Sequence, residues 1–190
     1  ANEAGINMPD THLFKTDKGA TYFGIKRFDR EGNKAIHMHS LCGLIHADHN
    51  NPSLDYEDFL KVTLILTKNM EEVEQAFRLA CFNVFIHNRD DHSKNFSFIL
   101  DNSNQWKLSP AYDLTFSYGP AGEHSTMIMG EGKNPNMEHL IALAKKVSIK
   151  ESVAKNIIEQ VRHAVNQWTT FSDEVGVTNK SKKNIGNVIL

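Results

Sequence analysis

The sequence predicts a mainly α, α+β fold in which a helix-rich domain carries two short β-hairpins. Three observations lead there. Apolar residues recur at helical spacing between 55 and 87 and again between 137 and 171, while residues 11–28 and 96–108 instead read as short strands broken by polar turns. At 190 residues with 40% apolar side chains, the chain can bury one sizeable core or two small ones.

Taken in order, residues 11–15 and 20–28 read as two strands joined by the turn Thr16-Asp17-Lys18-Gly19. A lone two-stranded hairpin is marginal, so this one needs further strands or helices to lie on. Asn7-Met8-Pro9 reads as a loop leaving an upstream helix, and the first 30 residues read as the start of a piece of something larger. Residues 31–54 are loop-rich and hold His37, His39, Cys42, His46 and His49, whose spacing fits no zinc finger and reads as surface histidines. Asp55 can cap a helix built on Phe59, Val62, Leu64, Ile65 and Leu66 that ends near Asn69. A second helix, 71–87, runs through Val73, Ala76, Phe77, Ala80, Cys81, Val84 and Phe85.

Beyond the 96–108 hairpin, residues 114–135 contain four glycines, Gly119, Gly122, Gly130 and Gly132, without the spacing of a phosphate-binding loop, and read as a flexible loop. Asn136 caps a helix over 137–147. The capping box Ser148-Ile149-Lys150-Glu151 is expected to open a long helix over 149–171, with Val153, Ile157, Ile158, Val161, Val165 and Trp168 on its core face. The last dozen residues read as a short exposed helix or frayed tail.

The chemistry is concentrated in VFIHNRDDHSKNFSFIL, residues 84–100. Arg89-Asp90 followed by Asn95 reproduces the Arg-Asp-x-x-x-x-Asn spacing of a phosphoryl-transfer loop, in which the Asp orients the attacking hydroxyl and the Asn holds Mg²⁺. The hairpin then returns the chain to Ala111-Tyr112-Asp113-Leu114, placing Asp113 where a second metal carboxylate is needed. Gly24-Ile25-Lys26 is not assigned as a nucleotide-anchoring lysine strand, because the segment after Lys26 is polar and irregular where a helix bearing a partner Glu is required. Adjacent Asp90 and Asp91 diverge in direction, and Asp91 is expected to matter less. Two other classes remain open. A metal-dependent phosphohydrolase would use His87, Asp90, Asp91 and His92 as ligands, and a non-catalytic module would retain only binding.

A net charge of −2 lacks the electrostatic footprint of a dedicated nucleic-acid binder. Cys42 and Cys81 sit in apolar surroundings without redox or metal spacing, which suits a reducing cytoplasm. No apolar run reaches the roughly 18 residues of a membrane span, and no signal peptide is evident.

The phrases FIHNRDDHSKNFSFIL, WKLSPAYDLTFS and HSTMIMGEGKN, preceded by IKRFDR, resemble the C-terminal kinase domain of the HipA family of bacterial toxin serine/threonine kinases, from about Gly5 to Trp168. The resemblance implies the helical large lobe of an atypical protein-kinase-like fold, with residues 1–30 a hinge-side hairpin and remnant of the small lobe and 31–190 the large lobe. It implies Asp90 as catalytic base, His92 and Lys94 in the catalytic loop, and Asn95 and Asp113 as Mg²⁺ ligands. Lys26, Phe28 and Asp29 then fall in the hinge that meets ATP, with backbone near Phe28 against adenine and Asp29 near the ribose. The implied partners are a protein substrate such as a translation factor and a helix-turn-helix DNA-binding antitoxin, with no direct contact to nucleic acid. Lys26 stands where the family more often has Glu. The family's phosphate-binding loop and its lysine are expected before residue 1 or in a separate small lobe.

Overall fold

The computed structural model describes residues 1–47 and 54–190, with the side chain of Pro120 left aside. Residues 48–53, and with them His49 of the histidine set, lie outside the described residues.

Strands β1 (Thr11–Lys15) and β2 (Thr21–Ile25) form the first hairpin, in the register Leu13↔Phe23. Both its faces are exposed, with Phe14 and Tyr22 on one and Leu13 and Phe23 on the other. A second, very short pair follows, β3 (Arg30–Glu31) with β4 (Lys34–Ala35). The segment expected to be loop then adds β5 (Met38–Ser40) and one turn of helix, α1 (Leu41–Leu44). Strand β5 pairs with β6 (Ser97–Leu100), which pairs with β7 (Trp106–Leu108), so the expected hairpin is the larger part of a three-stranded antiparallel sheet. Three-residue β5 carries no alternation long enough to read from sequence, and its partner lies about sixty positions away.

Helix α2 (Tyr56–Thr67) starts where Asp55 accepts from the Glu57 amide while the Asp58 carboxylate reaches back to the Asp55 amide. It ends at Lys68, in the left-handed region. Helix α3 (Met70–Phe85) is capped by Asn69 and buries nearly a whole face, from Val73 to Val84. Tyr56 and Phe59 of α2 meet Phe96 and Phe98, the Phe59 and Phe96 rings stacking with centroids 4.3 Å apart. All four rings are buried. Each is worth about 1.5–3 kcal/mol of apolar burial, which fixes the β6 end of the loop between α3 and β6.

Helix α4 (Met137–Lys146) is capped by Asn136 as expected. The capping box at Ser148 is not formed. Ser148 instead has φ +63° and terminates α4: its amide donates to the Lys145 carbonyl and the Ile149 amide to the Ala144 carbonyl, the paired bonds of a Schellman motif. Helix α5 (Glu151–Val165) then begins without a side-chain cap and packs on α3 through Ile157, Ile158 and Val161. The expected single long helix is two, because the chain turns at Asn166–Gln167 before α6 (Trp168–Glu174). Helix α7 (Asn179–Ile189) closes the chain and folds back on α6, where the Trp168 indole N–H donates to the Lys182 carbonyl. Among the described residues no helix is long and apolar enough to cross a membrane.

Candidate active site

Helix α3 delivers the chain into the site. Its C-cap is Ile86, and His87 then takes φ +51°, turning the backbone so that the Asn88 amide can donate to the Asn83 carbonyl at 2.9 Å. The two following aspartates point opposite ways. The Asp90 side chain is 52% exposed, whereas Asp91 is fully buried.

Around Asp90 the loop is held by its own polar groups. The Asn95 side-chain amide donates to the Asp90 carbonyl at 3.0 Å, and the Asn95 backbone amide to the His92 carbonyl at 2.8 Å. His92 Nε2 lies 3.8 Å from Asp90 Oδ1. Lys94 extends into solvent while its carbonyl accepts from the Tyr112 hydroxyl at 2.6 Å. With that proton committed, the 2.5 Å contact between Ser97 Oγ and Tyr112 has the serine as donor. Tyr112 thus ties the segment that follows β7 to the end of the Asp90–Asn95 loop, and Asp113 follows it, exposed and at φ +55°. Such a conformation is uncommon outside glycine and is best tolerated by Asn and Asp.

Lys26, Phe28 and Asp29 share an open cleft of about 270 Å³ with Ile25, Met38 and Tyr112. The Phe28 and Tyr112 rings are 5.6 Å apart, so the aromatic wall of the cleft is made from the residue that also anchors the loop. The Lys26 ammonium faces outward to Asp10 at 3.6 Å, an exposed pair of little energy. The Asp29 carboxylate is engaged by Arg27 at 2.5 and 2.8 Å and by Arg30 at 3.1 Å, and its hydrogen bond from Arg27 holds its proton affinity below the usual carboxylate range. A molecule in the cleft would meet an arginine-paired carboxylate.

Asp91, expected to matter less than its neighbour in phosphotransfer, is the more heavily bonded of the two. Its Oδ2 accepts from the Tyr56 hydroxyl at 2.8 Å and from His124 Nδ1 at 2.9 Å, which must carry the proton because a carboxylate only accepts. Its Oδ1 accepts from the backbone amides of Ser125 at 2.8 Å and Thr126 at 3.3 Å. Asn83 donates to Tyr56 and Asn88 to Asn83, so one buried chain of bonds joins α2, α3, the loop and segment 124–126. Burial, and then the charge of Asp91, push the Tyr56 phenol well above its ordinary pKa, which keeps it a neutral donor. Segment 114–135, expected to be flexible, is fastened here and again at Asp55, whose carboxylate accepts from the Gly130 amide at 2.8 Å. Sequence reading passed over Tyr56, Asn83, Asn88 and His124. The available signal was an asparagine, Asn83, amid the apolar residues of a buried helix face.

The phosphohydrolase ligand set is not brought together. Asp91 is spent on internal donors on the far side of the loop from Asp90, and His87 is half-buried with its proton affinity lowered by burial, then by Arg89 and His124. Among the described residues no three His, Cys, Asp or Glu side chains gather as a metal site. The described histidines of 31–54 do not gather either: His37 lies edge-on to Trp106 and His39 bonds the Ser40 carbonyl. Cys81 is buried and its thiol pushed upward by that burial, in keeping with an inert core cysteine.

This is an α+β domain whose buried helix feeds an Arg-Asp-x-x-x-x-Asn loop into a sheet, and comparison with known proteins gives it a family. The sequence pattern of the HipA-like C-terminal domain matches residues 1–168, and the chain belongs to that family. It is 29% identical over 151 residues to a protein of Sinorhizobium fredii (strain NBRC 101917 / NGR234) named "Putative kinase Y4dM", covering 76% of this chain and 36% of that protein. A Haemophilus influenzae (strain ATCC 51907 / DSM 11121 / KW20 / Rd) protein named "Putative kinase" is 31% identical over 127 residues, covering 59% of this chain and 37% of that protein. The fold is similar, with a TM-score of 0.75 at 14% identity, to a chain in the solved complex of the Shewanella oneidensis MR-1 toxin–antitoxin system HipA, HipB and its operator DNA. That match takes in 100% of this chain and 51% of the other. The chain therefore spans about a third of the curated relatives and half of the solved one.

Proposed function

We propose that this domain is the large lobe of a HipA-like serine/threonine protein kinase, which transfers the ATP γ-phosphate to a protein hydroxyl. The observation that carries the reading is the double role of Tyr112: it lines the cleft with Phe28 and clamps the Lys94 carbonyl, so nucleotide cleft, loop and Asp113 share one anchor. In this reading residues 1–30 are the hinge side of the small lobe and 31–190 the large lobe, with the adenine edge of ATP against the backbone near Phe28. The 190 residues contain no phosphate-binding glycine loop. Both faces of the β1–β2 hairpin expose apolar side chains that the rest of a small lobe would cover.

Asp90, exposed and on a braced loop, is the general base for the acceptor hydroxyl, with His92 and Lys94 beside it. Asn95 and Asp113 supply hard oxygen donors of the kind Mg²⁺ prefers, since the Asn95 amide nitrogen is occupied by the Asp90 carbonyl and its Oδ1 remains to face a cation. When bound, Mg²⁺ would neutralise charge on the phosphates, and two protein ligands suffice because this ion usually keeps phosphate oxygens and waters. The partner in this reading is a helix-turn-helix antitoxin, a proposal supported by the presence of HipB beside HipA in the solved Shewanella complex, while a translation-factor substrate and a cytoplasmic compartment are proposed on the family resemblance alone.

The test is Asp90→Asn in the complete protein. Removing the proton acceptor while keeping shape should lower phosphotransfer about 10²–10⁴-fold with folding unchanged. Phosphotransfer at the parental rate would exclude Asp90 as base and with it the catalytic-loop assignment.

A further inference from the structure

Asp90 is bracketed. The residue before it, Arg89, has its carbonyl held by the Ser125 hydroxyl at 3.0 Å and the Ser125 amide at 3.3 Å. The residue after it, Asp91, has its carbonyl held by the Thr126 hydroxyl at 2.5 Å and its carboxylate by the Ser125 and Thr126 amides. Thr126 is fully buried, and Met127 extends the attachment by exchanging backbone bonds with Leu54 and Tyr56, at 2.9 and 2.8 Å. Two consecutive residues of a segment more than thirty positions downstream thus grip the peptide units on both sides of one exposed carboxylate. Asp90 itself gives this grip nothing from its side chain.

We infer that Ser125 and Thr126, locked by the buried Asp91, are positioning residues that set the backbone from which Asp90 projects. The inference rests on the kinase reading for its consequence in catalysis, but the clamp itself is independent of that reading. The grip acts on the base and not on the nucleotide cleft: among the described residues, its bonds run from Ser125 and Thr126 to Arg89 and Asp91, not to the cleft walls at Ile25–Asp29, Met38 and Tyr112. Loosening it should therefore lower kcat and leave the KM for ATP in place. A displacement of the base by about 1 Å is enough to cost on the order of 10²-fold in rate.

The discriminating pair is Thr126→Val and Thr126→Ser in the complete protein. Valine keeps the shape and removes the hydroxyl, whereas serine keeps the bond to the Asp91 carbonyl. T126V should lose about 10–100-fold in kcat with the KM for ATP within about 3-fold of the parent, and T126S should stay within about 3-fold in both. Amide exchange at Ser125 and Thr126 should be at least about 10-fold faster in T126V, relative to the amides of α5, and near parental in T126S. Should T126V not fold, Ser125→Ala removes the hydroxyl bond to the Arg89 carbonyl, leaving only the longer amide bond, and is expected to lower kcat by about 10-fold on the same argument. Parental kcat in the folded variants, equal losses in T126V and T126S, or unchanged local exchange would each overturn the inference. If the parent protein transfers no phosphate at all, the kinase reading fails, and the exchange experiment alone then decides whether the clamp exists.

Discussion

Tyr56 shows how one side chain can serve both the core and the site. Its ring packs against Phe59 and Phe96, and its hydroxyl passes a hydrogen bond from Asn83 to Asp91. Tyr56→Phe keeps the packing and leaves Asp91 one donor short, so it should cost about 1–3 kcal/mol in denaturant unfolding. The pH dependence has a definite sign. Because the folded phenol titrates above its unfolded value near 10, the folded state keeps a proton that the unfolded chain releases, and stability falls as pH rises above about 10. The variant lacks the phenol, so its stability should decline less steeply over the same alkaline range. An equal alkaline slope in both proteins would show that Tyr56 is not the group responsible.

At the level of elements, the α4–α5 junction is decided by backbone geometry. Ser148 occupies a left-handed position that glycine fills without a Cβ penalty, and its hydroxyl caps nothing in α5. Ser148→Gly should therefore stabilise the domain by about 0.5–1 kcal/mol, read as a higher midpoint in urea at unchanged slope, whereas loss of a true N-cap would destabilise it by a similar amount. Gly119 is the opposite case. At φ +69° a Cβ there would lie 2.2 Å from the Glu123 carbonyl oxygen and 2.6 Å from the Arg89 Cβ, so the segment passes the loop only because this residue has no side chain. Gly119→Ala should cost about 2–4 kcal/mol, combining left-handed strain with overpacking, and a measured loss under 0.5 kcal/mol would show that the close passage is not needed.

For the whole molecule the question is how much of a nucleotide site 190 residues can supply. In the kinase reading the cleft, the loop and the candidate Mg²⁺ oxygens belong to the site, and among the described residues no glycine lines the cleft. Without the donors of a glycine loop the triphosphate charge is left to Mg²⁺ and water. Calorimetry should give Mg·ATP binding by this chain in the high micromolar range or weaker, and markedly tighter binding by the complete protein. Low-micromolar binding by the short chain would mean that the nucleotide is held elsewhere.

Local patterns in the sequence determined what local physics controls. The caps at Asp55 and Asn136 sit where the α2 and α4 periodicities begin, and the loop motif and the turn between β6 and β7 are contiguous, so their spacing could be read directly. Tertiary structure decided everything that depends on which distant residue fills an empty valence. Strand β5 needed β6 to exist, Ser148 became a helix terminus because two carbonyls of α4 required donors, and segment 124–126 was fixed by a carboxylate more than thirty residues upstream. The Asp90–Asp91 pair marks the boundary: the motif singles out Asp90 in the sequence, but only the packing of Tyr56, His124 and Thr126 shows that Asp91 is the buried one, because a buried charge must have its partners assembled from across the fold.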